Sequence, residues 1–487
     1  MSAASRRAFL GMLGGAGLAV AGCGAFAETS GRLLASRLPL PRPFTVPLPV
    51  PEVARPVRPG RYEVTQRVAK VEIIPGVTTE VWGYGGTFPG PTFELRRGSR
   101  TTIAVRNELP VPTSTHLHGG VNPPASDGYP TDLVVPGGYA AHHDHQHAET
   151  RHQTVKDYDY PLEQRAATLW YHDHRMDHTA PQVWRGLAGF ALVRDTEEDA
   201  LPLPGGEREL PLMICDRAFG EDGSFRYPDP HDGDYMAGVE GDVILVNGAP
   251  WPVAEVTATR YRLRLLNASN ARRYRLRLAP GGRFTQIGSD AGLLAAPVAH
   301  DTIPIAPGER YDVVVDFSAY PVGSAVTLIN TLAGGPARNV MRFIVTRRAA
   351  DDSAVPRTLA RPDARPTAVT TRTFDFRRTG NAWTINGHPY RPGIPLARPR
   401  LGTAEIWRLT SDFHHPVHVH LAHFQVLARN GRPPAATDGG WKDTVDVRPY
   451  EVVDVLARFD GYRGRYMLHC HNLEHEDMAM MADFDVV

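Results

Sequence analysis

Apolar and polar residues alternate in short runs along most of the chain, and turn residues separate the runs. "RYEVTQRVAKVEI" (61–73), "TTIAVRNEL" (101–109) and "LAGFALV" (187–193) read as strands. So do "DVILVNG" (242–248), "YRLRLLNAS" (261–269), "YRLRLAP" (274–280) and "RYDVVVDF" (310–317). The 46 glycines and 43 prolines fit many turns between short strands, not long helices. A polar breaker, "DTEEDALPLPGGERE" (195–209), and a linker-like stretch, 347–368, divide the pattern. The expected organisation is a Pro-rich lead-in over 28–60 followed by strand-rich domains over 61–195, 210–347 and 369–487. The blocks echo one another. "FELRRGSRTTIAVRN" and "RPRLGTAEIWRLT" each pair a strand with a polar turn, and "VNG" (246–248) and "ING" (385–387) each precede a proline. The fold class read from this is all-β, with three related Greek-key sandwich domains.

Bulk properties remove several function classes. Basic and acidic side chains balance at 53 each, which argues against a nucleic-acid partner. No nucleotide-binding glycine loop, nucleophile elbow or heptad run is present. Three cysteines exclude a disulfide framework. The first 27 residues read as an export signal: Arg6 and Arg7 precede a weakly apolar Gly/Ala-rich stretch, Phe9 to Gly22, in the manner of a twin-arginine segment. That stretch is too short to span a bilayer. Processing is expected either after Ala27, following "AFA", or by lipidation of Cys23 in "VAGC", the one case that would attach the protein to a membrane. In both cases the protein is exported to the periplasm, the medium or the cell surface.

The chemistry is concentrated in histidine. There are 21, and four clusters stand out: "THLHGG" (His116, His118), "WYHDH" (His172, His174), "HHPVHVHLAHF" (His415, His418, His420) and "LHCHNLEHEDMAMM" (His469, Cys470, His471, His475, Met480). In a strand, residues i and i+2 face the same way, so each His-x-His presents two imidazoles together. In "HCH" the flanking histidines share one face and Cys470 takes the other, so one strand can serve two metal sites back to back. A thiolate, two imidazoles and a weak thioether suit a blue-copper electron-transfer site. Cys470, His475 and Met480 provide three of these ligands, and His415 is the best candidate for the fourth. Eight histidines remain as four pairs, too many for one ion and suited to a cluster of three. "HCHNLEH" alone could hold zinc; four pairs beside a Cys/His/Met loop favour copper.

These motifs resemble those of multicopper oxidases of the laccase type. "HLHGGVNPPASDGYP", "WYHDH", "GWKDTV" and "HCHNLEHEDMAMM" look closest to the bacterial spore-coat laccase and bilirubin oxidase branch, and the resemblance runs from about Tyr62 to the C-terminus. It implies three cupredoxin-like domains and four copper ions: type 1 in the third domain, one type 2 and two type 3 between the first and third. It assigns His415, Cys470, His475 and axial Met480 to type 1, and His116 and His418 to type 2. The type 3 pair takes His118, His172 and His471 on one ion, and His174, His420 and His469 on the other. The middle domain holds no ligand motif.

The implied reaction draws single electrons from small aromatic donors, enters at an exposed edge of His415, and reduces dioxygen to water. Asp127 and Glu476 occupy positions of acidic residues linked to proton delivery in the family. The alternative is a carboxylate that only fixes a ligand ring, for Glu476 the ring of His475. Met478 and Met481 are expected to pack around the type 1 copper, Cys215 to be a buried small hydrophobe, and the tract His142 to His147, with His152, to be a solvated loop, with copper capture as the alternative. The expected activity is laccase-like oxidation of phenols, aromatic amines or bilirubin-like pigments by a monomer. A metal-ion oxidase acting on cuprous or manganous ions, and a copper-free exported scaffold, are the alternatives.

Overall fold

A computed structural model describes residues 31–139, 151–229 and 233–487. The export segment and the tract from His142 to His147, together with the His152 side chain, fall outside the described residues.

Apart from two two-stranded ribbons, the strands assemble into six sheets, two in each of three units. In each unit the leading strand pairs in parallel with a later one: Arg61–Glu72 with Thr101–Asn107, Glu209–Phe219 with Arg260–Asn267, and Ala368–Thr379 with Ala404–Ser411. In each, the second sheet joins an earlier strand in parallel to the last one: Gly90–Arg96 with Ala188–Arg194, Val253–Thr257 with Asn339–Arg347, and Pro395–Ala397 with Met481–Val486. The same wiring three times over accounts for the echoes in the sequence. Asn247 and Asn386 both turn the chain with positive φ (52° and 55°), each followed by glycine. Each amide oxygen accepts from the leading strand of its own unit, at Met213 N (2.9 Å) and Asp375 N (2.8 Å). The first unit makes the same bend with Gly85–Gly86, which the sequence comparison does not reveal.

Burial follows the pattern where one face is wet. Tyr274–Ala279 alternates strictly, whereas Ala188–Arg194 and Ala167–Asp173 are buried on nearly every residue because a neighbouring unit covers their second face. The connecting stretches are fixed in place. Glu198, in the polar breaker, accepts from Arg262 and Arg264 at 2.9 Å each. Asp351 and Asp363, in the linker-like stretch, hold Arg260 and Arg165. The lead-in pairs Arg32–Leu34 with Val239–Gly241 and later touches Val253 and Thr92, crossing from the middle unit to the first. Among the described residues no helix is long and apolar enough to cross a membrane.

Candidate metal centre

The paired histidines lie on adjacent antiparallel strands. Thr115–His118 pairs with Ala167–Asp173 so that His116 faces His172 across the ladder, and His415–Val419 pairs with Gly464–Cys470 so that His418 faces His469. The first and third units thus each offer four imidazoles to their shared boundary. They converge in three groups whose ligand atoms lie within 4.8 Å of one another: His116, His418 and His420; His118, His172 and His471; His174, His420 and His469.

The outward ring nitrogens reveal what the inward ones need. His116 Nδ1 is 2.5 Å from the Asp127 carbonyl, and His418 Nδ1 is 2.9 Å from the Asp443 carbonyl. Carbonyls only accept, so both rings are protonated there and turn Nε2 lone pairs inward. Those two Nε2 atoms are 3.3 Å apart. Lone pairs facing each other at that distance repel, unless a cation lies between them. His420 and His469 repeat the arrangement with Nε2 atoms 3.2 Å apart. The Nε2 atoms of His172, His174 and His471 are buried with no protein partner, a cost of about 1–3 kcal/mol each in a metal-free chain. Burial lowers the affinity of these rings for protons, His172 to about 3 and His174 to about 4, so they are neutral and able to ligate.

On the far side of the "HCH" strand, Cys470 Sγ is 3.4 Å from His415 Nδ1 and 3.6 Å from His475 Nδ1, and those nitrogens are 3.1 Å apart. Met480 is fully buried in the same apolar cluster as Cys470. Burial pushes the Cys470 thiol well above its ordinary range, a penalty that a bound cation reverses. A soft sulfur with two neutral imidazoles suits copper, and the donor sets fit four copper ions.

Two expectations, and the alternative reading of Glu476, need correction. His415 has no exposed edge: its relative exposure is 0%, and Asp412, a third exposed, faces its Nε2 at 3.4 Å. The cover is Trp383, whose ring centroid lies 4.0 Å from that of His475 and whose indole N–H donates to the Met236 carbonyl of the middle unit. Met478 packs against the Cys470 cluster, but Met481 pairs across from His469 and packs with Met467 and Tyr390, because successive strand residues alternate faces. Glu476 is not placed on His475. Its carboxylate oxygens lie 3.3 Å from His174 Nδ1 and 3.1 Å from His469 Nδ1, joining one ring from each contributing unit. The ring of His469 also points Nδ1 at the Cys470 carbonyl (3.1 Å), so the Glu476 contact is the less well aligned of the two.

Asp127 holds His420 Nδ1 with Oδ2 at 2.7 Å, and its Oδ1 has no hydrogen-bond partner. Burial pushes this carboxyl up to about 8, against the pull of Lys156. Burial also works against the Glu476 charge, but His174 and His469 outweigh it and hold that carboxyl below the usual range. Sequence reasoning missed Asp412, Trp383 and Asp443. Only Asp443 lies in a quoted motif, "GWKDTV", and the others carry no recognisable local signal.

A buried thiolate–imidazole set, joined by one strand to eight converging imidazoles between two β-sandwiches, defines a copper-dependent oxidoreductase. The chain belongs to the multicopper oxidase family, whose models match residues 65–198, 225–340 and 360–487. It is 36% identical to a laccase of Bacillus subtilis (strain 168), covering 91% of this chain and 98% of that protein. It is 37% identical to a bilirubin oxidase of Albifimbria verrucaria, covering 91% and 81%. The laccase of Pediococcus acidilactici Pa5930 superposes with a TM-score of 0.83 at 31% identity, covering 94% of this chain and 96% of that one. With these relatives and this donor set, the protein is a laccase-like multicopper oxidase that uses dioxygen as electron acceptor.

Proposed function

We propose that the chain oxidises small aromatic donors (phenols, aromatic amines or bilirubin-like pigments) one electron at a time, four per dioxygen, with four protons consumed and two waters formed. The similarity to proteins named laccase and bilirubin oxidase supports this donor class. His415, Cys470, His475 and Met480 would hold one copper, and the eight paired histidines would hold three, His116 and His418 the type 2 ion. Copper, when bound, supplies one-electron chemistry at the first set and four-electron reduction of dioxygen at the second. The observation that carries the assignment is the pair of facing Nε2 lone pairs of His116 and His418, 3.3 Å apart and fixed from behind by carbonyls.

The chain's own residues do the rest. Trp383 and Phe413 pack on the His415 and His475 rings and keep water from them, while Asp412 stands between His415 Nε2 and solvent, where it can accept a proton from an oxidised phenol. The peptide units of Cys470 join the two donor sets without a gap, since His469 and His471 are its neighbours. Asp127 and Glu476, both buried behind cluster rings, deliver protons, Asp127 as a carboxyl raised by burial and Glu476 as an ionised group that relays them. The donor sets are complete within one chain, so a monomer suffices to hold them. Export follows the paired arginines Arg6 and Arg7, and maturation ends at Glu28 or at a lipidated Cys23. Oxygen consumption by copper-loaded protein tests the proposal against a panel of a phenol, a diamine, bilirubin, cuprous ion and manganous ion. Four aromatic donors should be consumed per dioxygen without peroxide. Turnover confined to the metal ions would overturn the donor class.

A further inference from the structure

Among the described residues the middle unit supplies no ligand, yet one of its side chains stands directly behind a residue that holds a cluster ring. Arg310 opens the strand Arg310–Asp316 and is completely buried. All five of its guanidinium N–H donors have partners. Nε gives to the Thr168 carbonyl of the first unit (2.8 Å), Nη1 to the Gly308 carbonyl (3.0 Å) and Nη2 to the Asp290 carbonyl (2.9 Å). The remaining two fork onto Asp443 of the third unit, at 2.7 and 2.5 Å. One cation therefore ties three units together. The backbone beside it touches the cluster: Gly308 has φ +84°, and a Cβ there would stand 3.0 Å from the His471 ring and 3.1 Å from the His118 ring.

Asp443 passes this anchoring on. Its Oδ1 is 3.0 Å from His118 Nε2, and Thr444 Oγ1 is also 3.0 Å away. An ionised carboxylate only accepts, so His118 carries its proton on Nε2 and keeps its lone pair on Nδ1, which is buried and partnerless. His116, His172 and His418 do the reverse, with Nδ1 bound to carbonyls. Asp443 lies near His118 and His418 but stands behind both rings, against the nitrogens they turn away from the cluster: His118 Nε2 at 3.0 Å and His418 Nδ1 at 3.5 Å.

We infer that Arg310 is a positioning residue: by clamping Asp443 it fixes His118 in the tautomer that offers Nδ1 to the dicopper pair, which makes the ligand-free middle unit a determinant of copper retention at the cluster. The inference rests on the assignment of His118, His172 and His471 to one ion. Lysine at 310 keeps the charge but cannot fork onto two oxygens while donating to three carbonyls. In the full, copper-loaded protein, Arg310→Lys should lose cluster copper to a chelator at least about tenfold faster than the parent, the scale of effect seen when residues behind metal ligands are replaced. The blue colour should persist and an electron-spin signal from an uncoupled copper should appear. Asp443→Asn, which keeps the volume but turns an N–H toward Arg310, should give the same signature and serves if Arg310→Lys does not fold. Parent-like chelation rates in the folded variants would overturn the inference. Parallel loss of cluster copper and blue colour, with a lowered melting temperature, would reduce Arg310 to an anchor between units and overturn it as well. A parent protein that retains blue copper but binds no copper at the cluster would instead refute the ligand assignment, and this inference with it.

Discussion

Replacing Glu476 by glutamine tests where this carboxylate acts. Its two oxygens lie 3.3 Å from His174 Nδ1 and 3.1 Å from His469 Nδ1, one ring on each side of the boundary. Glutamine offers one acceptor and one N–H₂; His469 keeps the Cys470 carbonyl, so His174 is the ring that can lose its acceptor and face a donor. A buried N–H left without an acceptor costs about 1–3 kcal/mol, and at 1.4 kcal/mol per tenfold that corresponds to roughly 5- to 150-fold. The same change removes a proton relay, so the structural and proton effects fall on one step, the reaction with dioxygen. In stopped-flow work, anaerobic bleaching of the blue band by a phenol should keep its parent rate, while reoxidation by dioxygen should slow by about 10–100-fold. Lower pH should partly restore it, because bulk protons substitute. Asp127→Asn separates the two contributions. Asn can still accept from His420, and the Asp127 carbonyl that holds His116 is untouched. A slow, acid-rescued reoxidation in both variants indicates proton supply, and in Glu476→Gln alone it indicates ring positioning. Slow bleaching or a changed colour with normal reoxidation would refute the placement of Glu476 at the cluster and put it behind His475.

Cys470→Ser should abolish the blue colour while leaving the fold and some cluster copper, as read by absorbance and copper analysis; a variant that stays blue would exclude Cys470 as the thiolate ligand. Met480→Leu should keep copper and colour but raise the reduction potential of the thiolate site in a redox titration, since a weak axial ligand tunes that potential; an unchanged value would redirect attention to Met478, which packs against the same cluster. Arg6→Lys with Arg7→Lys should leave precursor in the cytoplasm by cell fractionation, and mass spectrometry of the mature parent should show either Glu28 or a lipidated Cys23 at its start. Normal export of the double variant would reject the twin-arginine reading.

Much of the fold class was legible because its signals are local. Strand alternation and the Asn-Gly bends at 247 and 386 depend on neighbouring residues and backbone sterics, so they survive in one dimension. The matching Gly85–Gly86 bend was hidden, since two glycines satisfy the same dihedral angles without the asparagine that made the others comparable. The His-x-His spacing placed two rings on one face of each strand, but not which strands would be neighbours. That depends on ladder register, such as Trp170 opposite His118, which arises from long-range packing. Burial was misjudged at His415 for the same reason. Alternation says which way a ring points, while the cover over it comes from Trp383, 32 residues upstream, braced on a middle-unit carbonyl.

The asymmetry of the cluster lies in one ring. His116, His172, His418 and His420, from both contributing units, are held at Nδ1 and turn Nε2 inward, whereas His118 is held at Nε2 and turns Nδ1 inward, so each ring's free nitrogen is decided by what holds its other one. Main-chain carbonyls do this for His116, His172 and His418, and such acceptors come with the strands themselves. His118 and His420 are held instead by the side chains of Asp443 and Asp127, and a carboxylate buried beside neutral rings needs compensation of its own. Asp443 obtains it from Arg310, in a unit that binds no copper. The middle unit therefore has chemical work that no ligand motif reveals: it supplies the cation that lets an acidic residue stand behind a copper ligand without being one.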